Sequence, residues 1–544
     1  MTQPIADPLP GQSKTEFNIL AEFIRNCKKR KKTSKLADSL GNEATGGELL
    51  TKTLVLKQLL ETKILQADEK YIGVLLPPSV AGCMVNVAIA MVGKVSVNLN
   101  YTSSEEILNY CIKSGEIQHV LTSRKFMQKL DLSLNAEVIY LEDLKPLVTL
   151  GMKLSAYWNS TFVPAERLIT KLGLEHQDNN EELTLVFTSG STGNPKGVLL
   201  TYGNIASNID AFAKAVLIQS TDSITGVLPF FHSFGYTVTL WGVMSLDIRG
   251  AYHYNPLEAK QVGKLCQKHK TTILLATPTF LRSYIKRCNV EQFQNLNLVV
   301  VGAEKLPDDM TEKFKEKFGF APVEGYGVTE LSPVVSVNVP TSRNADPNVG
   351  GVKVGSVGRP LNGIAAKIVH PETNEDLPQG ESGMLLIRGP NVMKGYLKQP
   401  EKTAEVLKQG WYTTGDIAYL DEDNFIFITG RQSRFSKISG EMVPHVKVEE
   451  AINQILHSDE HEMLLAAVTA VPDEKKGEQL VVLHLPLEKK IADILVSLKE
   501  KGMPNLFLPA EHYFFEVEDL PLLGSGKLDL KTVKKIALEK AGKA

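Results

Sequence analysis

From residue 54 to about residue 300, short apolar runs alternate with segments whose apolar residues recur every three or four positions. The runs at 72–76, 119–121, 224–228, 272–276 and 296–301 predict strands, and the segments between them predict helices. That alternation implies α/β layers built on mostly parallel strands. Beyond Gly355 the pattern shortens and is punctuated by turn residues (Gly355, Pro360, Gly380, Gly383 and Gly389-Pro390), which predicts a small β-barrel-like module. Two further strands, 411–416 and 424–429, lead to Gly430-Arg431. The last block has its own helices (448–456, 491–499, 531–541) and strands (463–471, 480–484, 512–517), the size of a small α+β domain. The expected organisation is a large N-terminal domain over 1–430, a hinge at 431–433 and a mobile C-terminal domain over 434–544.

A chain of 544 residues is too long for one core. Its 43% hydrophobic and 22% charged content is that of an ordinary globular protein, and a net charge of −2 gives no argument for a nucleic-acid partner. Residues 71–93 carry no charge, but Pro77-Pro78 divides them into a strand and a helix too short to cross a bilayer. The stretch 1–14 contains three prolines and no apolar core, so no signal peptide is expected. The five cysteines show no metal or CxxC spacing and read as reduced thiols of a cytoplasmic protein. Residues 15–35 place Phe17, Leu20, Phe23 and Ile24 before a basic cluster of Arg25, Lys28, Lys29, Arg30, Lys31, Lys32 and Lys35. A solvated helix end is the simpler reading of that cluster. Weak peripheral attraction to anionic lipid at the inner face of the membrane is the alternative.

The chemistry concentrates around residues 183–205. An apolar run (Leu183, Leu185, Val186, Phe187) empties into a loop with Thr188, Ser189, Gly190, Ser191, Thr192, Gly193, Lys196 and Gly197, and Val198 resumes the apolar pattern. Hydroxyl donors, glycines that expose backbone N–H groups and one long-stemmed cation suit a polyphosphate. The spacing is not that of a Walker loop, because Lys196 is followed by Gly197. Nor does Gly190-Ser191-Thr192-Gly193 have the spacing of a serine-hydrolase elbow.

Other motifs follow. His232 lies among aromatics after a strand, and Gly302-Ala303-Glu304 ends another in a turn where a flat base could rest. In Glu324-Gly325-Tyr326-Gly327-Val328-Thr329-Glu330, the tyrosine ring can stack on a base and Glu330 is a hard oxygen ligand suited to Mg²⁺. Asp416 can accept from two ribose hydroxyls, and Arg431, fifteen residues on, offers a fork of donors. Lys527 stands in a glycine loop near the C-terminus.

In this order the motifs resemble those of the acyl-adenylate-forming superfamily: acyl-CoA synthetases, acyl-carrier-protein synthetases, luciferases and peptide-synthetase adenylation domains. The resemblance spans essentially the whole chain. It implies ATP and Mg²⁺ as cofactors and catalytic roles for Lys527, His232, Thr188 and Glu330, with Glu330 and Thr192 at the metal. Nucleotide contacts are implied for residues 188–193, Lys196, 302–304, Glu324, Gly325, Tyr326, Gly327, Thr329, Asp416, Arg431, Lys437 and Gly440. His232 would border the carboxylate, and Lys527 would swing in between carboxylate and α-phosphate. The implied reaction converts a fatty acid to acyl-AMP and pyrophosphate, after which a thiol displaces AMP.

The finer resemblance, carried by Arg434-Phe435, Gly440-Glu-Met-Val443 and Glu449, is to the synthetase half of the bifunctional acyl-carrier-protein synthetase/2-acylglycerophosphoethanolamine acyltransferase. It implies acyl-carrier protein as thiol acceptor ahead of free CoA, without lysophospholipid acyl transfer. Lys531, Lys534 and Lys535 are the basic residues expected to meet an acidic carrier. One position departs from the family pattern: Ser433 stands where Asp or Lys is usual, which leaves the hinge's charge contacts in doubt. A non-catalytic nucleotide-gated binding protein would predict gaps among Lys196, Glu330, Asp416, Arg431 and Lys527, and none is missing.

Overall fold

The computed structural model describes residues 16–188, 194–344, 351–439, 441–456, 464–473, 475–521 and 528–543. Among these, two large sheets organise the N-terminal part. One has seven strands in the order Gly395–Tyr396, Lys196–Thr201, Glu182–Thr188, Val95–Asn98, Tyr71–Leu75, His119–Thr122, Glu137–Tyr140. The other has nine, running from Arg359–Pro360 through Val334–Val337, Val323–Gly327, Leu298–Val301, Ile273–Ala276, Ser223–Gly226, Arg249–Tyr252 and Ser34–Asp38 to Glu43–Thr45. The strands read from the continuous apolar runs pair in parallel, as expected of strands buried on both faces.

A single core joins the two sheets. Ile224 and Ile273 of one and Leu183 and Val198 of the other pack with Val80, Cys83 and Val87 of the helix Val80–Met91 and with Ile205 and Ile209 of the helix Tyr202–Ala215. Both helices have capped starts. Ser79 accepts from the Gly82 N–H, and Thr201 forms a reciprocal capping box with Asn204. These caps fix where each helix leaves its preceding strand.

Most of the basic cluster at 25–35 is engaged with the fold, while Lys29 and Lys32 stay exposed. Arg25 pairs with Glu22 and Glu166, Lys29 and Arg30 pair with Asp247, and Lys28 donates to the Asn159 and Val163 carbonyls. Lys35 is wholly buried, and its ammonium donates to the carbonyls of Val243, Leu246 and Ile248 at 2.6–2.8 Å. Burial pushes it down to about 7, yet three donors meeting three orphan carbonyls at a helix end favour the charged form. Long stems carry these cations to internal acceptors.

Past Gly355 the β module is a five-stranded antiparallel sheet built on Ala365–Val369, Gly383–Arg388 and the long strand Trp411–Leu420, which pairs with both Leu407–Lys408 and Ile426–Arg431. The C-terminal block has its own five-stranded sheet. Its strands alternate strictly. Ala466, Val468, Leu480 and Val482 face the helix His445–Leu456, whereas Ala467, Val471, Val481 and Leu483 face Val533 and Ala537 of the helix Leu530–Lys540. A buried ion pair, Arg434 to Glu449 at 2.7 Å, ties the segment just after residue 433 to this core. The block meets the rest of the chain through two exposed ion pairs, Lys305–Glu450 and Lys437–Glu372, and through Phe435, which packs on Val369, Met384 and Ile417 beside the hinge.

Candidate active site

A cavity of about 610 Å³ opens where the three N-terminal sheets meet, and it gathers residues that lie more than two hundred positions apart. Its wall includes Thr188, Lys196, His232, Gly302, Ala303, Gly325, Tyr326, Gly327, Thr329, Glu330, Tyr412, Arg431 and Gln432.

The stretch rich in hydroxyls and glycines is flanked by two antiparallel strands. Thr188 ends the strand Glu182–Thr188, Lys196 opens Lys196–Thr201, and the two residues are paired across the ladder. Ser189, Gly190, Ser191, Thr192 and Gly193 lie outside the described residues. Gly197, read as a bending glycine, serves packing instead. A Cβ there would meet the Leu185 side chain at 2.7 Å.

Across from Lys196 stands Glu330. Its carboxylate Oε1 accepts the Tyr396 hydroxyl at 2.9 Å, and the Lys196 ammonium lies 5.0 Å from the centroid of the same Tyr396 ring. Tyr396 is held there because Gly395 and Tyr396 pair with Leu199 and Val198 on the strand Lys196–Thr201. The Met393 N–H donates to the Glu330 carbonyl at 2.8 Å, so one short segment clamps both motifs. The close approach at Gly327 is equally demanding, since a Cβ would lie 2.0 Å from the Pro333 carbonyl oxygen.

The third cluster explains the fifteen-residue interval between Asp416 and Arg431. The two face each other in the antiparallel pair of Trp411–Leu420 and Ile426–Arg431. Asp416 is 2% exposed and receives the Arg431 Nε–H at 2.9 Å and the Tyr326 hydroxyl at 2.5 Å. Burial raises the Asp416 carboxyl above its usual range despite both partners, while the charge of Asp416 raises the Arg431 guanidinium. Asp416 itself stands behind the wall that Tyr326 and Arg431 form.

His232 sits at the cavity edge, its Nδ1 receiving the Phe234 N–H at 3.4 Å, and its neighbour Ser233 shares a hydroxyl hydrogen bond with Thr329 at 3.1 Å. Ala303 adopts φ +73°, a left-handed conformation that costs a non-glycine residue about 1 kcal/mol or more, and it places bare backbone at the wall.

Some expected contacts are not brought together. Glu324 turns away to accept the Leu306 N–H at 3.0 Å, and burial raises its carboxyl. Glu304 is exposed and off the cavity wall. Lys437 points outward to Glu372 at 2.6 Å. Gly440 and Lys527 lie outside the described residues. In the other direction, Tyr396, Ser233 and Gln432 join the site without having been singled out from sequence, and Tyr412 was passed over within a motif that drew attention only to Asp416.

A cation and a carboxylate facing each other beside a base-sized aromatic wall and a buried aspartate define a nucleotide site of the adenylate-forming kind. The family model described as AMP-binding enzyme matches residues 23–397, well over half of the chain, and the protein belongs to that family. It is 29% identical over 509 residues to a long-chain-fatty-acid–CoA ligase of Bacillus subtilis, covering 87% of this chain and 86% of that one. It is 30% identical over 453 residues to 4-coumarate–CoA ligase-like 9 of Arabidopsis thaliana, covering 81% and 75% of the two chains. Among solved structures, ATP-bound MatB from Rhodopseudomonas palustris superposes with a TM-score of 0.76 over 96% of this chain and 100% of that chain, at 23% identity. The o-succinylbenzoate CoA synthetase of Bacillus subtilis with its acyl-adenylate gives 0.76 over 94% and 98%, at 22% identity, so the acyl-adenylate-forming fold is shared.

Proposed function

We propose that this protein is an AMP-forming acid–thiol ligase that activates a fatty acid with ATP and passes the acyl group to the phosphopantetheine thiol of acyl-carrier protein. The observation that carries the ligase reading is the convergence of Lys196, Glu330 and the Tyr326–Asp416–Arg431 cluster on one cavity.

The donor set fits MgATP. One carboxylate, Glu330, on the cavity wall is what Mg²⁺ requires when it arrives on phosphate oxygens, with Thr192 proposed as its companion, and the charge of the ion would offset that of the polyphosphate. Lys196 holds the phosphates, Tyr326 and the Gly302-Ala303 turn receive the base, and Asp416 with Arg431 takes the ribose once Tyr326 yields or shares its hydrogen bond. His232 orients the acid at the cavity edge. A carboxylate oxygen forms its bond to the α-phosphorus as the bond to pyrophosphate breaks. Lys527 brings a cation between the two anions as charge is redistributed.

In the second step the thiol loses its proton, its sulfur bonds to the acyl carbon, and AMP leaves. We assign that step to a rotation of the block 434–544 about residues 431–433, which would withdraw Lys527 and bring Gly440 and its neighbours to the pantetheine path. The exposed, polar character of Lys305–Glu450 and Lys437–Glu372 suits a contact that must break.

Phe212 lines both the main cavity and a void of about 10 Å³ behind it, where Ile209, Val238 and Leu246 stand beside Asn208 and Thr237; that void is too small for an acyl chain. Tyr236, Leu240 and Trp241 of the helix Gly235–Gly242 are fully buried in the core. For the acceptor, Lys531 and Lys535 are exposed on the helix Leu530–Lys540, whereas Lys534 donates to the Ala470 carbonyl. Free CoA is the rival acceptor, supported by the names of the relatives. Mass analysis of products from ATP, a panel of fatty acids and either holo acyl-carrier protein or CoA decides between them. Acyl-carrier protein carrying the acyl mass is expected; acyl-CoA alone would replace the acceptor and leave adenylation standing.

A further inference from the structure

The helix Leu150–Thr161 buries Met152 and Ala156 and turns a second apolar face outward. Leu150 is 71% exposed and Trp158 61%, and Leu154, Tyr157 and Phe162 are each more than half exposed, with Leu147 just upstream. Within the helix, 150, 154 and 158 keep helical spacing, so Leu150, Leu154 and Trp158 form one stripe. A contiguous patch of this kind on an otherwise polar surface marks an interaction site.

Lysines are the charges on the helix and directly before it, with acids further out. The helix carries no acid and one lysine, Lys153, and Lys145 is exposed just before it. Lys31 donates to the Thr161 carbonyl at 3.1 Å and lies 5.8 Å from the Phe162 ring centroid. Of the nearest acids, Asp143 pairs with Arg124 and Glu166 with Arg25, both at exposed positions, and Glu142 accepts the Arg124 backbone N–H. Tyrosine and tryptophan on an apolar stripe bordered by lysines match the boundary between acyl chains and anionic headgroups. Twelve residues are too few to cross a bilayer, and among the described residues no helix is long and apolar enough to do so.

We propose that this face of the helix Leu150–Thr161 docks the protein on the surface of an anionic lipid bilayer, with the helix lying in the plane of the interface. The basic residues at 25–35 take part only through Lys31, because most of the others are engaged inside.

The test uses the full-length protein with vesicles of phosphatidylcholine, with or without phosphatidylglycerol, and contains neither ATP nor acid. Its outcome is therefore independent of the ligase reading. Co-sedimentation with the anionic vesicles is expected, with a blue shift of tryptophan emission. That shift should vanish in Trp158→Phe while binding persists, since Trp241 is fully buried and Trp411 half-buried. The double substitution Leu154→Ser with Trp158→Ser should weaken binding on the order of tenfold or more without changing the melting temperature, both side chains being exposed. Binding that ignores the double substitution, or no binding to either vesicle, overturns the proposal. Equal binding to neutral vesicles overturns its electrostatic part. A wild-type dimer that the double substitution dissociates, with no vesicle binding, gives the face to a second copy instead.

Discussion

Tyr396 donates its hydroxyl to Glu330 across 2.9 Å while its ring faces the Lys196 ammonium 5.0 Å away. One side chain thereby sets the separation between the cation proposed to hold the phosphates and the carboxylate proposed for Mg²⁺. Its strand, Gly395–Tyr396, is only two residues long and is fixed by pairing with Val198 and Leu199.

Tyr396→Phe keeps the ring and removes the hydrogen bond. The initial rate of acid-dependent AMP release should fall about tenfold, equivalent to ~1.4 kcal/mol. Tyr396→Leu also removes the cation–π contact and should lose a further factor of about three, from ~0.5–1 kcal/mol. Unchanged rates in both variants would remove Tyr396 from the site.

Asp416 opposes stability to function. Burial raises its folded pKa, so its contribution to stability is present in full at low pH and is lost as the pH rises from about 4 through the folded value. At neutral pH the buried charge is a cost. Asp416→Asn should therefore raise the melting temperature at pH 7, with the gain shrinking at acid pH, while weakening ATP binding on the order of tenfold. Thermal melts across pH and nucleotide titration check the two halves separately.

The pair Arg434–Glu449 is 8% and 11% exposed by side chain, and Glu449 also accepts the Val468 N–H. Arg434→Ala strands a buried carboxylate and should destabilise the C-terminal block by about 3 kcal/mol. Replacing both residues with methionine should recover most of that loss. Hydrogen exchange over the strands Ala466–Asp473 and Gly477–His484 reports it.

Lys527→Ala should abolish adenylate formation yet spare thioester formation from supplied acyl-AMP, since its proposed charge is needed only in the first step. Equal loss in both half-reactions, each followed by mass analysis, would contradict that role.

Apolar periodicity and turn residues anticipate the mostly parallel strands, the β module and a C-terminal block with its own helices and strands, because the runs that mark each element are local in the chain. The interval between Asp416 and Arg431 was legible as chemistry, and the hairpin register supplies its geometry. Tyr396 was not legible. Its place depends on a strand pairing some two hundred positions away, and Lys394-Gly395-Tyr396 has no local signature. Nor does the motif reveal that the Glu324 carboxylate accepts the Leu306 N–H, a contact that only the fold supplies. The charge run at 25–35 misled for a related reason: sequence shows the cations but not the carbonyls and carboxylates that the fold brings to them.

The most direct measurement is isotope exchange between pyrophosphate and ATP, with and without a fatty acid. Exchange that requires both the acid and Mg²⁺, and that disappears in Lys196→Ala and Glu330→Gln, is the predicted result. Exchange absent with every acid offered, while ATP still binds in the cavity, would contradict adenylation and leave a nucleotide-binding protein.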